Sequence, residues 1–143
     1  MTHLSFQENK ALICSDAGMA LLFHALYQPT EEKVLTRAKA YAENPLCRVF
    51  YALEGETPQG LCIIQPNDQS AEILILSVAK EYQGRGVGRA LVAHIQRQLK
   101  IPLTAETDDE AVGFYRRCGF SVTSLGKKYP GVIRYRCILA KEA

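Results

Sequence analysis

Residues 82–90 read Tyr-Gln-Gly-Arg-Gly-Val-Gly-Arg-Ala, with glycine at every second position from Gly84 to Gly88. Glycines so placed let the backbone adopt positive φ and bring free N–H groups close to a ligand. The stretch follows a strand-like run and opens a helical one, so the unpaired N–H groups of a helix N-terminus add to the same site. The chemistry on offer is the binding of an anion, above all a phosphate, with Arg85 and Arg89 alongside. The same glycines would also serve a tight turn with no ligand. Two familiar phosphate motifs fit poorly. A dinucleotide fingerprint read from Gly84 needs a small residue where Arg89 stands, and no second βαβ unit with a ribose-binding acid is evident. The Walker pattern fails because no GK(S/T) follows.

Other reactive types are isolated. His24 and His94 fall on helical patterns, where lone histidines more often pack or face solvent than catalyse. No His/Cys/Asp/Glu cluster has metal-ligand spacing, so no metal is expected. Cys118 has no partner histidine, which argues against a thiol nucleophile.

The elements that must position the glycine loop are legible from the apolar periods. Leu4 to Phe6 reads as a short first strand. Ser15 and Asp16 precede an apolar stretch of near-helical period that ends near Tyr27. Pro29, Thr30, Glu31 and Glu32 announce a second helix with Val34, Leu35, Ala38 and Tyr41 on one face, closed by Asn44 and Pro45. The period then falls from about 3.6 to 2. Strands at Val49 to Leu53, Leu61 to Ile64 and Glu72 to Ala79, with turns at Gly55 to Gln59 and Asn67 to Ser70, predict an antiparallel meander. After the glycine loop, Val87, Leu91, Val92, Ile95 and Leu99 define a helix that Pro102 ends. Leu103 to Glu106 is a brief strand, and Asp108 caps a short helix through Phe114 and Tyr115 that Gly119 stops. Phe120 to Ser124 and Ile133 to Leu139 flank a turn around Pro130 and Gly131. The class is α+β, an antiparallel half preceding a β-α-β-α-β half.

Composition bounds the rest. The chain has 143 residues, 48% hydrophobic and 22% charged. That size suits one domain, 1–143, able to bury roughly 68–70% of its unfolded surface. Intrinsic disorder is excluded, and no apolar run approaches the ~18 residues of a membrane helix. The N-terminal ten residues show no leader pattern, and the five cysteines are odd in number with no CxxC spacing; a reduced, cytoplasmic protein is expected. Net charge is +2 but unevenly spread: residues 1–79 hold five Lys or Arg against nine Asp or Glu, and residues 80–143 hold twelve against six. The second half is therefore the anion-binding candidate. Without an RNP-like motif, a Cys/His finger or a dense basic stripe, no nucleic-acid partner is expected.

The glycine loop resembles that of the GNAT superfamily of acyl-CoA-dependent N-acetyltransferases. Gln83, Gly86 and Gly88 match its Q/RxxGxG/A pyrophosphate motif. Downstream, Asp108, Ala111, Phe114, Tyr115, Gly119 and Phe120 follow its NxxAxx(L/F)YxxxGF pattern, at the correct separation. The resemblance runs from about Leu46 to Leu139. It implies a central, mostly antiparallel twisted sheet of six to seven strands with about four flanking helices, and acetyl-CoA as cosubstrate. It places Gln83, Gly84, Arg85, Gly86, Val87, Gly88 and Arg89 on the pyrophosphate, and the backbone of Leu76, Ser77 and Val78 on the pantetheine arm. Asp108 occupies the family's Asn position; a carboxylate caps a helix equally well but cannot donate a hydrogen bond to the pantetheine. The N-terminal helices, which line the acceptor pocket in this family, are only generically similar.

Acetyl transfer from a thioester to an amine needs a neutral amine, a polarised carbonyl and a stabilised thiolate. An alkylamine is neutral on the order of once in 2,500 molecules at pH 7, so a base is valuable. The candidates are Glu106, at the end of the strand before the tyrosine helix, and Glu72, in the strand beside the cofactor; each also reads as a surface carboxylate or salt-bridge partner. The resemblance places the Tyr115 hydroxyl beside the cofactor sulfur as proton or hydrogen-bond donor, against its reading as a core aromatic next to Phe114. The Val78 N–H would hold the carbonyl oxygen. The expected reaction is acetylation of a small-molecule primary amine, cationic if the acidic first half faces the pocket. A protein N-terminus or lysine as acceptor, and a non-catalytic acyl-CoA sensor, are the alternatives. A monomer or homodimer is expected.

Overall fold

Strand alternation builds the first half of one sheet. In the computed structural model, which describes residues 3–140, β1 (Leu4–Glu8), β2 (Arg48–Glu54), β3 (Thr57–Pro66) and β4 (Ala71–Val78) pair antiparallel in chain order. β5 (Leu103–Asp108) joins β4 in parallel, β7 (Val132–Leu139) pairs with β5, and β6 (Ser121–Tyr129) forms the far edge. The seven-stranded order is β1-β2-β3-β4-β5-β7-β6. Four helices cover it: α1 (Asp16–Ala25), α2 (Glu31–Glu43), α3 (Val87–Leu99) and α4 (Val112–Arg117).

Each face of the sheet carries its own core. Phe50, Cys62, Ile64, Leu103 and Cys137 pack beneath α3, whose Val87, Leu91, Val92 and Ile95 are buried at the helical period. Val49, Tyr51, Leu61 and Ile63 pack beneath α1 and α2, with Leu22 and Ala38. The caps expected for these helices form: Ser15 Oγ accepts from Gly18 N at 3.1 Å, and Thr30 Oγ1 accepts from Lys33 N at 3.1 Å.

The sheet departs from regularity where the site lies. Ile63 faces Ile75 but Ile64 faces Ile73, so Leu74 is an extra residue in β4. This bulge reverses the alternation: Ala71 and Ile73 point to the α3 face before it, Leu76 and Val78 after it, and Ser77 turns toward α1. β4 and β5 pair only at Ala71–Leu103 and Glu72–Thr104 and then part. The strands open like a V toward Val78 and Asp108.

The structure differs from the sequence reading in three respects. The β2–β3 turn is two residues long, with Gly55 at φ +61°, and Thr57 to Gln59 belong to β3; a hairpin this tight needs the positive φ that glycine supplies. Leu35 is 41% exposed, because Val34, Ala38 and Tyr41 already form the buried stripe of α2. Short 3-10 turns at Ala11–Cys14 and Lys80–Tyr82 carry no period that a sequence reading could find.

Candidate active site

The glycine loop carries the chain from the end of β4 to the start of α3. Gly84 and Gly86 stand at φ +79° and +80°, and the space where a Cβ would sit is open to 4 Å at both. Gly86 is the N-cap residue and offers no side-chain cap. The first intrahelical bond is made by Ala90 N to Gly86 O at 2.9 Å. The N–H groups of Val87, Gly88 and Arg89 thus have no partner among the described residues, and they project with the positive end of a 13-residue helix. Gln83 Nε2 donates to Val78 O at 3.0 Å and ties the loop to the strand. Gly88 does something else: it is helical, and a Cβ there would stand 2.7 Å from Phe114 Cζ. It is the glycine that lets α4 pack on α3, not a positive-φ residue.

A cavity of about 650 Å³ lies at the C-terminal end of β4. Leu76, Ser77 and Val78 line one wall, and the cradle residues Gln83, Gly84, Gly86, Val87, Gly88 and Arg89 line the next. Ala111, Phe114, Arg117 and Cys118 enter from the α4 side, with Glu110 and Tyr82 at the margin. α1 contributes His24 and Ala25. Ser77 Oγ, buried, donates to Leu21 O at 2.8 Å and fixes α1 against β4.

Three residues expected at the cofactor do not line the cavity: Arg85, Asp108 and Tyr115. Arg85 lies over the Tyr82 ring, 5.8 Å from its centroid. Asp108 Oδ1 accepts from Glu110 N at 3.0 Å and Ala111 N at 3.2 Å, so it shapes the turn that leads into α4 instead of capping the helix itself. Arg117 and Cys118 belong to no motif singled out in the sequence, although they follow Phe114 at the i+3 and i+4 spacing that shares a helix face. His24 had no such signal.

The acid–base candidates are placed unevenly. Tyr115 is buried in the core on the α3 face of the sheet, edge-on to Phe114 at 5.8 Å and to Phe120 at 5.3 Å, and is not on the cavity wall. Burial pushes its phenol well above the ordinary range, and the thiols of Cys62, Cys137 and Cys118 add to the effect. The hydroxyl stays protonated and can only donate or share its proton. Glu106 is exposed and ion-paired to Arg134 at 3.4 Å, off the cavity wall. Glu72 sits at the opposite end of β4 from Val78, about 20 Å away at the rise of a strand. Neither carboxylate faces the cavity: Glu72 lies at the far end of its strand, and Glu106 lies at an exposed position of β5 between the buried Ala105 and Thr107. Burial pushes the Cys118 thiol up to about 11, against the pull of Arg117 and Arg89; it is a thiol at neutral pH, not a nucleophile.

Residues 45–122, more than half of the chain, match the family model described as the acetyltransferase (GNAT) domain. The chain belongs to the GNAT superfamily of acyl-CoA-dependent acetyltransferases. A peptidyl-lysine N-acetyltransferase of Escherichia coli, YjaB, is 34% identical over 85 residues, covering 54% of this chain and 55% of that protein. The chain thus matches about half the length of that curated relative. A GNAT-family structure from Desulfovibrio desulfuricans superposes with TM-score 0.72 at 21% identity, covering 96% of this chain and 99% of the other. The ribosomal-protein-S18-alanine N-acetyltransferase of Escherichia coli superposes with TM-score 0.70 at 20% identity, covering 99% and 96%. At these identities the GNAT structures speak for the fold. The cavity of this GNAT chain fits acetyl-CoA on its own terms: an uncapped helix end and two cations suit the phosphates, and the apolar Leu76, Val78 and Phe114 suit an extended thioester arm.

Proposed function

We propose that this protein transfers an acetyl group from acetyl-CoA to a primary amine of a small molecule by direct attack on the thioester. The observation that carries this reading is the uncapped N-terminus of α3, open at Gly84 and Gly86, facing the cavity at the C-terminal end of β4. In this reading Gln83, Gly84 and the residues from Gly86 to Arg89 hold the pyrophosphate, with Arg117 as a further cation. The backbone of Leu76 and Ser77 aligns the pantetheine arm, and the Val78 N–H polarises the carbonyl. Tyr115 donates a hydrogen bond to the leaving sulfur. Full transfer from an ordinary phenol to a thiolate is uphill by about 2 kcal/mol, and burial of Tyr115 raises that further. The hydroxyl therefore stabilises developing charge without giving up its proton.

A small acceptor is supported by the short connection between α1 and α2, residues 26–30, which offers no extended loop to clamp a polypeptide. A protein lysine or N-terminus is the second reading. It is favoured by the named activity of the Escherichia coli relative and by the exposed aromatics Phe23 and Tyr27 on either side of His24. Thiol release from acetyl-CoA, measured over a panel of diamines, aminoglycosides, amino acids and lysyl peptides, separates the two. Release with the small amines supports the proposal, release only with peptides supports the second reading, and acetyl-CoA binding without release would make the protein a sensor.

A further inference from the structure

Acetyl transfer to an amine, as proposed for this protein, leaves one proton without a destination, and the role assigned to His24 below rests on that proposed function. A primary amine arrives as an ammonium ion and must lose a proton before its lone pair can attack. Glu72 and Glu106 are off the cavity wall. Among the described wall residues, those able to titrate are His24, Tyr82, Glu110 and Cys118, with Arg89 and Arg117 as fixed cations. Cys118 is held as a thiol beside Gly88. The Tyr82 ring lies beneath the Arg85 guanidinium, and a phenol is a poor proton acceptor at neutral pH. Glu110 stands in the turn that Asp108 shapes, on the α4 side of the cavity.

His24 comes from the opposite wall. α1 is seated firmly there: Ser77 Oγ holds Leu21 O, and Gly18 packs so closely on the preceding turn that a Cβ would stand 2.2 Å from Leu12 O. One turn beyond Leu21, His24 is exposed and shares the cavity wall with Leu76, Ser77 and Val78, the strand residues placed along the thioester arm. We propose that His24 is the base that accepts the proton of the acceptor ammonium. An imidazole ring nitrogen that carries no proton has a lone pair able to accept one. The ammonium proton passes to the imidazole, and the freed lone pair forms the C–N bond to the acetyl carbon. The C–S bond breaks with its electron pair on sulfur, hydrogen-bonded by Tyr115, and the second proton, which the nitrogen sheds as it becomes the amide, passes through solvent to that thiolate. The imidazolium returns its proton to bulk water, to which it is open. The charged and titratable groups facing His24 across the cavity are Tyr82, Arg89, Glu110, Arg117 and Cys118. Of the elements packed on α1, the 3-10 turn at Ala11–Cys14 brings the exposed Cys14, while α2, β3 and β4 place no titratable side chain on the wall.

The test compares His24→Ala, His24→Gln and Glu110→Gln, using acetyl-CoA and the fastest amine among 1,4-diaminobutane, an aminoglycoside and a lysyl peptide. His24→Ala is expected to lower kcat/KM by ~10²- to 10⁴-fold, to lose the acid limb of its pH profile, and to recover in part with added imidazole. Acetyl-CoA affinity by calorimetry should stay within about twofold of wild type. In wild-type protein loaded with CoA, the His24 ring resonance should shift when the amine is added. A His24→Ala variant within about threefold of wild type, or an acid limb that survives in it and vanishes in Glu110→Gln, overturns the assignment of His24 alone. A wild type that binds acetyl-CoA yet acetylates none of the amines overturns the proposed function, and the role of His24 with it.

Discussion

Two buried tyrosines differ in what is proposed for their hydroxyls. Tyr51 is fully buried under α1 and α2, and its oxygen has no hydrogen-bond partner among the described residues. An orphaned buried hydroxyl is a desolvation cost without return. Tyr51→Phe should therefore leave stability unchanged or raise it by up to about 1 kcal/mol in a denaturant titration; a clear loss would mean that the hydroxyl has a partner after all. Tyr115 is the contrasting case. Tyr115→Phe keeps the edge contacts to Phe114 and Phe120 and removes only the donor. Turnover should fall by ~10²- to 10⁴-fold with acetyl-CoA affinity little changed, because the hydrogen bond matters when charge has developed on sulfur. Undiminished turnover under conditions where chemistry limits the rate would make Tyr115 a core aromatic and nothing more.

The elements meet through glycine where side chains would hold them apart. A methyl group at Gly88 would collide with Phe114 at 2.7 and 3.0 Å and press on Cys118 Sγ at 3.4 Å, so the Phe114 ring, or α4 with it, must give way. Gly88→Ala is expected to cost about 1–3 kcal/mol of stability and to weaken acetyl-CoA binding, since Phe114, Arg117 and Cys118 line the cavity from the α4 side. Shortening the ring with Phe114→Leu in the same chain should restore part of the stability. If Gly88→Ala alone is as stable as wild type, α4 does not pack on α3 this closely. At this scale the sequence is an uneven guide. α3 is legible because Val87, Leu91, Val92 and Ile95 keep a helical period that no other element supports. The bulge at Leu74 is not, since the run from Ile73 to Leu76 is apolar on both faces and looks the same in either register. Glu72 falls far from the cavity for a related reason: membership of the cofactor strand does not tell which end of the strand meets the cofactor.

Over the whole molecule, charge is sorted along the chain and the cavity draws from the basic half. Arg89 and Arg117 line it, whereas Asp16, Glu31, Glu32 and Glu43, the acidic residues of the helices over the other face, do not. The acidic first half consequently gives no local support for a cationic acceptor, and three of those carboxylates, Asp16, Glu31 and Glu32, sit in the first turns of α1 and α2 at the positive ends of the helices. What the basic half does support is an anionic cofactor. Acetyl-CoA affinity should fall as salt rises, and Arg117→Gln should both weaken it and flatten that salt dependence; a salt-independent affinity would contradict an electrostatic cradle. The glycine loop and the tyrosine helix are legible in the sequence because each motif fixes backbone geometry locally. The acceptor side is not, because His24 reaches the cavity only through the packing of α1 on β4, a contact between residues distant in sequence.

The open backbone at Gly86 receives the cofactor phosphates in this account, and isothermal calorimetry of acetyl-CoA with wild type and Gly86→Val tests that most directly. A Cβ at Gly86 would meet no protein atom, so the variant's side chain would stand in the space a ligand needs, on a backbone at φ +80° that valine tolerates poorly. Circular dichroism of the same samples checks that the variant remains folded. Wild-type binding in the micromolar range and a loss of at least about tenfold in the folded variant are the expected result. Equal affinity in a folded Gly86→Val protein would show that the cofactor lies elsewhere.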